Sequence, residues 1–237
     1  MVGHTVNRWE GSYCGPAPLP ADLFYRWNFD LWALAVLVAL AIYAGRSRPG
    51  VAAIVVLAIA FLSPLCALSA ALFSARVVHH VLLVAIAAPL LALSRPAKAA
   101  TGVGLPFLVA TATLWLWHVP SAYDAALGNM AVYWIMQASL FGSACLFWRA
   151  AFSRIGGSGV GWVFLAYLAM GMLGAILTLA PQAIYATHAT APLLWGMLPL
   201  SDQQLGGLVM WMPAGLPFAV WGGMLARRAW RDMGEAV

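Results

Sequence analysis

Three ionisable side chains stand at the start of a long apolar stretch, and they are the residues best suited to metal or charge chemistry. The stretch from Phe73 to Leu93 carries Arg76, His79 and His80 in its first third, and the rest is apolar. About twenty residues of α-helix span about 30 Å, the thickness of the hydrocarbon core of a bilayer. An ionisable side chain inside such a helix is costly and usually functional. The sequence therefore predicts a membrane helix with a functional cluster near one end.

Side chains of types that bind metals occur both in this stretch and later in the chain. The predicted metal ligands are His79, His80, His118, Asp124, His188 and Asp202. Gln137 and Gln203 are predicted to lie just outside this ligand set. Imidazole suits copper, zinc, iron and nickel, and a carboxylate or an amide can complete the coordination. These residue types predict a transition-metal site.

Helical spacing indicates which of these side chains can meet. Arg76 and His80 are four residues apart and share one helix face, whereas His79 points about 100° away. Arg76 is predicted to act as a charge partner of one of the two aspartates, because a low dielectric favours pairing of opposite charges. The neutral imidazoles of His80 and His118 are then free to meet with a carboxylate.

The ten methionines add soft thioethers, a ligand type that favours Cu(I). Met170, Met172, Met210 and Met212 lie in the last two apolar runs. A methionine inside a helix bundle is nonetheless more often a packing residue than a ligand. Copper, as Cu(I), is the predicted metal.

Other interpretations of the same residues stay open. Histidines and aspartates near a membrane interface can face headgroups, and Asp202 with Ser201 can cap the helix that they begin. His80 and His118 can also be axial haem ligands, but His118 lies at the predicted water boundary, which favours copper. The chain has no GxSxG, HExxH or CxxC motif, so no enzyme is predicted.

Composition determines the class of protein that positions these residues. The chain is 64% hydrophobic and 8% charged over 237 residues, with a mean hydropathy of +0.88. No soluble domain of this size buries that much apolar surface. The apolar runs are continuous, whereas a β-barrel would alternate apolar and polar residues. The composition therefore predicts an all-α, polytopic membrane protein.

Seven apolar runs are each long enough for one membrane span. They cover residues 23–44, 51–68, 74–93, 101–117, 132–152, 161–179 and 202–230. The predicted organisation is a polar extracytoplasmic leader at 1–22, a seven-helix domain at 23–230 and a cytoplasmic tail at 231–237.

Basic residues predict the orientation. Nine of the twelve lie at alternate loops and at the C-terminus: Arg46, Arg48, Arg95, Lys98, Arg149, Arg154, Arg227, Arg228 and Arg231. Because an excess of basic residues marks the cytoplasmic side, the N-terminus is predicted outside and the C-terminus inside. All five histidines then lie on the outer side. The net charge of +5 thus indicates orientation in a lipid bilayer rather than nucleic-acid binding.

The three cysteines are far apart in sequence and form no close pair. An odd, scattered set predicts neither a disulfide framework nor a thiolate metal site. Cys66 and Cys145 are predicted to pack as small apolar residues.

Four stretches carry a resemblance to a known family. They are LFSARVVHHVLLVAIAAPLLAL (72–93), WLWHVPSAYDAAL (115–127), SLFGSACLFWRA (139–150) and WGMLPLSDQQLGGLVMWMPAG (195–215). Through them the chain resembles the seven-helix CtaG-type assembly factors of caa3-type cytochrome c oxidase, over residues 72–222. Where many members have His-x-x-x-His at the start of the third helix, this chain has Arg76 and His80, and Gln137 stands where the fifth helix often has a histidine. The positions that match the family pattern are His80, His118, Asp124, Asp202 and Gln203.

The resemblance implies a non-enzymatic role in building haem–copper oxidase in the bacterial cytoplasmic (inner) membrane. Copper would be bound and delivered at the periplasmic face, with His80 and His118 as ligands and Asp202 or Asp124 as a third ligand or orienting group. The expected partners are the oxidase subunit that carries the active-centre copper and periplasmic copper chaperones.

Two other function classes stay open. One is a metal-free scaffold that docks oxidase subunits. The other is a small-solute or proton-linked transporter that uses Asp124 and Asp202. The sequence places no ionisable residue near the predicted middle of the membrane, which argues against the transporter.

Overall fold

The computed structural model describes residues 13–95, 102–153 and 158–235, and within these ranges the chain is helical with no strand. The first twelve residues of the predicted leader lie outside the described residues, as do Lys98, Arg154 and the last two residues of the predicted tail. The predicted all-α class is confirmed for the described part of the chain.

The described residues form eleven α-helices and one π-helical segment. In chain order they are α1 Leu31–Ala44, α2 Arg48–Leu62, α3 Pro64–Ala71, α4 Phe73–Val81, the π segment Leu82–Ala87, α5 Ala88–Ser94, α6 Gly104–Leu116, α7 Pro120–Gly128, α8 Met130–Phe152, α9 Ser158–Leu179, α10 Pro199–Trp211 and α11 Gly215–Gly234. Three short 3₁₀ turns within the same residues are Pro20–Tyr25, Ala186–His188 and Ala191–Trp195.

Four helical stretches in the described residues are long and apolar enough to cross a membrane. They are Phe73–Ser94, Met130–Phe152, Gly159–Leu179 and Pro199–Gly234. The helices α2 and α3 meet at 50° and together would form a fifth span. The helices α1 and α6 are also apolar but shorter. By length and composition, the described residues thus contain four helices that could cross a membrane, or up to five if the bent pair is one span.

Local capping explains where two helices depart from the predicted runs. Helix α1 starts at residue 31 rather than 23, because the carboxylate of Asp30 accepts a hydrogen bond from the N–H of Ala33 (3.1 Å). The second run breaks into α2 and α3 at Pro64, which has no N–H to continue a helix, and the side chain of Ser63 caps the new one. Helix α7 lies between the predicted runs 101–117 and 132–152.

One end of the bundle holds most of the polar side chains discussed below, and we call it the polar end. It comprises the starts of α4, α7, α8 and α10, the end of α6, and residues 180–198. The opposite end holds the last turns of α1, α5 and α8. There Arg95 donates a hydrogen bond to the carbonyl of Tyr43 (2.8 Å), and Arg149 donates one to the hydroxyl of Tyr43 (2.6 Å).

Two tryptophans satisfy backbone carbonyls that the π segment and a proline leave free. The π segment changes the hydrogen-bond register by one residue, and Pro89 has no N–H to donate. The indole of Trp148 donates to the carbonyl of Val84 (2.8 Å), and that of Trp221 donates to the carbonyl of Ala85 (2.9 Å). An unpaired carbonyl in lipid costs several kcal/mol. These indoles therefore stabilise the widened turn that directly follows α4.

Adjacent glycines let α10 approach two neighbouring helices closely. An added Cβ at Gly207 would lie 2.5 Å from the carbonyl oxygen of Gly174 on α9, and one at Gly206 would lie 2.5 Å from the ring of Phe73 on α4. No side chain fits at either position, as is common where membrane helices pack closely. The two glycines thus set the distances between α4, α9 and α10.

A disulfide between Cys14 and Cys66 joins the N-terminal segment to α3, with the Cα atoms 5.3 Å apart. The prediction that Cys66 packs only as a small apolar residue is therefore wrong, and a separation of 52 residues carries no pairing signal. Tyr13 stacks on Tyr133 with ring centroids 4.9 Å apart, so the segment lies over the start of α8. Cys145 is a free, partly buried thiol on α8.

Candidate metal centre

Two buried histidines from different helices lie next to each other at the polar end. His80 is in the last turn of α4, and His118 follows two residues after α6 ends. Their ring centroids are 6.2 Å apart, with the ring planes at 77°. The structure thus brings together two imidazoles that the sequence places on separate apolar runs.

A cavity of about 10 Å³ lies beside these two rings. Its lining combines both histidines with Met170 on α9 and Met210 on α10. The other lining residues are aliphatic: Val77, Val81, Val84 and Leu114. A cavity of about 10–15 Å³ is the least that accepts one water molecule. The site therefore has the size of a single small ion among four nitrogen- and sulfur-bearing side chains.

Each of the two rings has a nitrogen lone pair without a hydrogen-bond partner among the described residues. Because a carbonyl only accepts, the Nδ1 of His118 donates its hydrogen bond to Leu114 (2.7 Å), and its Nε2 carries the free lone pair. Neither nitrogen of His80 has a hydrogen-bond partner among the described residues. An imidazole oriented through its other nitrogen is the usual arrangement of a metal-binding histidine.

His79 lies beside this centre and does not line the cavity. Its ring centroid is 5.9 Å from that of His80, and its ring packs edge-on against Phe61 of α2 at 4.9 Å. Both of its nitrogens lack a hydrogen-bond partner within the described ranges. The rotation of about 100° between consecutive helical residues turns it toward a different helix.

Arg76 does not form the salt bridge that the sequence predicts. Its guanidinium lies over the ring of Tyr133, 5.3 Å from the centroid, and none of its three nitrogens has a hydrogen-bond partner in the part of the chain that the structure describes. The carboxylate of Asp202 instead accepts hydrogen bonds from the N–H groups of Phe73 (2.6 Å) and Ser74 (3.1 Å). Asp202 therefore caps α4 rather than its own helix, α10.

Asp124 and His188 belong to a separate hydrogen-bonded group. The carboxylate of Asp124 accepts from the N–H (3.1 Å) and the hydroxyl (2.6 Å) of Thr187. The Nδ1 of His188 donates to the carbonyl of Ala71 (3.2 Å), and its Nε2 accepts from the hydroxyl of Tyr123 (2.7 Å). Burial lowers the pKa of His188 to about 4, so the ring is neutral at physiological pH. Both side chains hold the loop between α9 and α10 to the bundle.

The two predicted glutamines have different environments. The Oε1 of Gln203 accepts from the N–H of Ile184 (2.8 Å), and its Nε2 donates to the carbonyl of Gln182 (3.4 Å). This side chain braces α10 against the segment after α9. Gln137 is buried on α8, one turn beyond Tyr133, and neither atom of its amide has a partner among the described residues.

No group of three or more histidine, cysteine, aspartate or glutamate side chains that could hold a metal occurs within residues 13–95, 102–153 and 158–235. The donor set at the cavity is instead two imidazoles and two thioethers. Both donor types are neutral, and the thioethers are soft, which fits Cu(I). Sequence spacing does not show that Met170 and Met210 line the same cavity as the histidines, because the four residues belong to segments far apart in sequence.

Comparison with known proteins identifies one matching family. The family model described as cytochrome c oxidase caa3 assembly factor matches residues 45–106 and 103–232. These two matches cover most of the chain and confirm the resemblance that the sequence motifs carry. Comparison with curated proteins gives no match, and comparison with solved structures gives none.

Replacing Arg76 with methionine is expected to stabilise the fold. The substitution removes a buried charge that has no hydrogen bond to another described residue, and it also removes one cation–π contact. Replacing buried charged groups with apolar ones can raise the free energy of unfolding by about 1–4 kcal/mol. Thermal unfolding of the detergent-purified protein measures this as a higher Tm. Arg228→Met, at an exposed arginine of α11, is the control and should leave Tm unchanged. A lower Tm for Arg76→Met would show that the guanidinium is paired.

Proposed function

The chain belongs to the family of cytochrome c oxidase caa3 assembly factors, and we propose that it binds Cu(I) and delivers it to the oxidase during assembly. The observation that carries this proposal is the small cavity lined by His80, His118, Met170 and Met210. Oxidase assembly requires copper to reach a site in another protein, so the metal is cargo here. The protein itself is proposed to have no enzymatic activity.

The chemistry of the donors supports a monovalent copper ion. Thioethers and imidazoles are neutral ligands that suit Cu(I), whereas calcium and magnesium require oxygen ligands. A single positive charge is also less costly to bury than a double one, since the desolvation penalty grows with charge. The cavity contains no carboxylate that would offset a second charge.

Arg76 is proposed to favour release of the ion. It lies one helical turn before His80, about 5–6 Å away between Cβ atoms. Two unit charges repel by about 4 kcal/mol at 4 Å in an effective dielectric of 20, and so by about 2 kcal/mol at twice that distance. A repulsion of that size weakens binding by more than tenfold. A delivery protein needs such a limit on its affinity for the ion, because an ion bound too tightly would not transfer to the next protein.

We further propose seven membrane passes, with the polar end on the extracytoplasmic side of the bacterial cytoplasmic membrane. The passes are α1, α2 with α3, α4 with α5, α6, α8, α9, and α10 with α11. Two observations support this orientation. Arg95 and Arg149 lie at the opposite end, as expected for the cytoplasmic side. The Cys14–Cys66 disulfide lies near the polar end, and disulfides persist in oxidising compartments.

Cysteine labelling of intact cells tests this topology. A membrane-impermeant maleimide is expected to label Cys14, which is partly exposed, only after reduction with a membrane-impermeant phosphine. Cys145 lies within α8 and should stay unlabelled in both conditions. Labelling of Cys14 only after the cells are permeabilised would contradict the proposed orientation.

Cu(I) titration against a competing chelator, without oxygen, tests the metal site. His80→Ala and Met170→Leu are each expected to raise the Kd for Cu(I) by at least about tenfold, and Arg76→Met is expected to lower it. Met172→Leu is the matched control, because Met172 is two residues from Met170 but 56% exposed. Equal Kd values for the wild type and His80→Ala would show that Cu(I) is not bound at the proposed site.

Growth of a deletion strain in excess copper separates delivery from scaffolding. If the protein supplies copper, added copper should restore a measurable part of the oxidase activity that the deletion removes. The His80→Ala variant should then behave like the deletion and be rescued in the same way. No rescue, together with full activity of His80→Ala, would instead favour a metal-free scaffold for oxidase subunits.

A further inference from the structure

A short N-terminal strap, which we define as residues 13–18, lies across the polar end of the bundle. The Cys14–Cys66 disulfide bonds the strap to α3. Further along the strap, the carbonyl of Pro18 accepts a hydrogen bond from the indole of Trp195 (3.1 Å). The strap is thus held by one covalent bond together with non-covalent contacts that are individually weak.

The strap contacts Tyr133, and Tyr133 contacts Arg76. The ring of Tyr13 stacks on that of Tyr133 with the centroids 4.9 Å apart, and the hydroxyl of Tyr133 lies 3.5 Å from the Sγ of Cys14. The guanidinium of Arg76 lies over the same Tyr133 ring, 5.3 Å from its centroid. Tyr133 and Arg76 are both 0% exposed. The closed strap therefore helps to keep the charge of Arg76 away from water.

The two sulfurs of the disulfide differ in accessibility. Cys14 is partly exposed, whereas Cys66 is 0% exposed. A disulfide is cleaved when a thiolate attacks a sulfur that it can reach, and exposed disulfides are typically the labile or regulatory ones. A dithiol reductant would attack the Sγ of Cys14, and Cys66 would leave as a thiolate that takes up a proton. The second thiol of the reductant would then release Cys14 as a thiol, so the reductant becomes a disulfide and the protein gains two electrons and two protons.

We propose that the Cys14–Cys66 disulfide is a redox-sensitive latch that sets the affinity of the metal centre for Cu(I). The inference rests on the Cu(I) site proposed above. With the disulfide formed, the strap is closed, and the dry charge of Arg76 repels an ion beside His80. With the disulfide reduced by a dithiol protein, the strap leaves Tyr133 and water reaches Arg76.

Hydration of Arg76 determines the direction of the effect. The Coulomb repulsion between two charges is about four times weaker in water than at an effective dielectric of 20. The open form is therefore expected to bind Cu(I) more tightly than the closed form, by up to about tenfold. Oxidation of the latch outside the cytoplasm would close the strap and favour release of the ion.

Maleimide labelling of the detergent-purified protein tests whether the strap opens, without any copper. After reduction, Cys66 is expected to react, although it is buried when the strap is closed. Cys145, the free thiol on α8, is the control and should react equally slowly before and after reduction. If Cys14 reacts while Cys66 stays unreactive, the strap remains closed without its disulfide, and the latch is overturned.

Cu(I) titration of a variant with both Cys14→Ser and Cys66→Ser tests the link to the metal centre. This variant has no disulfide and leaves no thiols at the latch that would bind Cu(I) themselves. Its Kd for Cu(I) is expected to be up to about tenfold lower than that of the oxidised wild type. Adding Arg76→Met to it should cause no further change, whereas Arg76→Met alone lowers the Kd. Cys145→Ser is the matched control and should keep the wild-type Kd.

Two results of this titration would overturn the proposal in different ways. An unchanged Kd in the double variant, with binding that still depends on His80, would overturn the latch and leave the metal centre standing. An absence of Cu(I) binding in every form would overturn the metal centre and, with it, the control of its affinity. Reduced wild-type protein with both latch thiols blocked by maleimide should give the same Kd as the double variant, which checks that the variant is folded.

Discussion

The arrangement of the polar end depends on one carboxylate that hydrogen-bonds to the backbone of a neighbouring helix. The first N–H groups of any helix lack an intrahelical partner, and lipid cannot supply one. In this protein Asp202 of α10 accepts from the N–H groups of Phe73 and Ser74, so the start of α4 is tied to α10. Gly206, one turn later, lets the ring of Phe73 lie against the α10 backbone. This tie places His80 of α4 and Met210 of α10 on the same cavity.

Hydrogen-bond satisfaction divides the buried polar residues into two groups. Asp124, Asp202, His188 and Gln203 have partners within the protein, and each joins separate segments. Among the described residues, the unpaired group comprises Arg76, His79, His80 and Gln137, together with the indole of Trp115. Nearly all buried polar groups in proteins are paired, so each exception requires an explanation such as a bound ion, an ordered water or strain. The proposed Cu(I) would complete one member of this second group, His80.

Helix breaks interrupt two of the apolar stretches, and only the first of them leaves helices too short to count singly as spans. Pro64 divides α2 from α3, and the π segment with Pro89 widens the turn after α4. In each case a side chain replaces the missing backbone donor or acceptor: the hydroxyl of Ser63 at the first break, and the indoles of Trp148 and Trp221 at the second. The broken helices are therefore stable because side-chain groups complete their backbone hydrogen bonds. The second break directly follows His79 and His80, as π segments often do at functional sites.

Local properties of the sequence were sufficient to predict the helical membrane class, the position of the apolar runs and the family. Hydrophobicity and motifs are read along the chain, so these features need no knowledge of contacts. The same patterns also identified His80 and His118 as candidate metal ligands, because ionisable groups in apolar runs are rare.

Only the tertiary structure decided what each nominated residue contacts. In the structure, Asp202 accepts hydrogen bonds from the α4 backbone, and Cys14 is bonded to Cys66. Arg76 has no hydrogen-bond partner among the described residues, and two methionines line the same cavity as the histidines. The physical reason is that these contacts join segments far apart in sequence. Their partners depend on helix crossing and side-chain direction, which residue spacing along one helix does not specify.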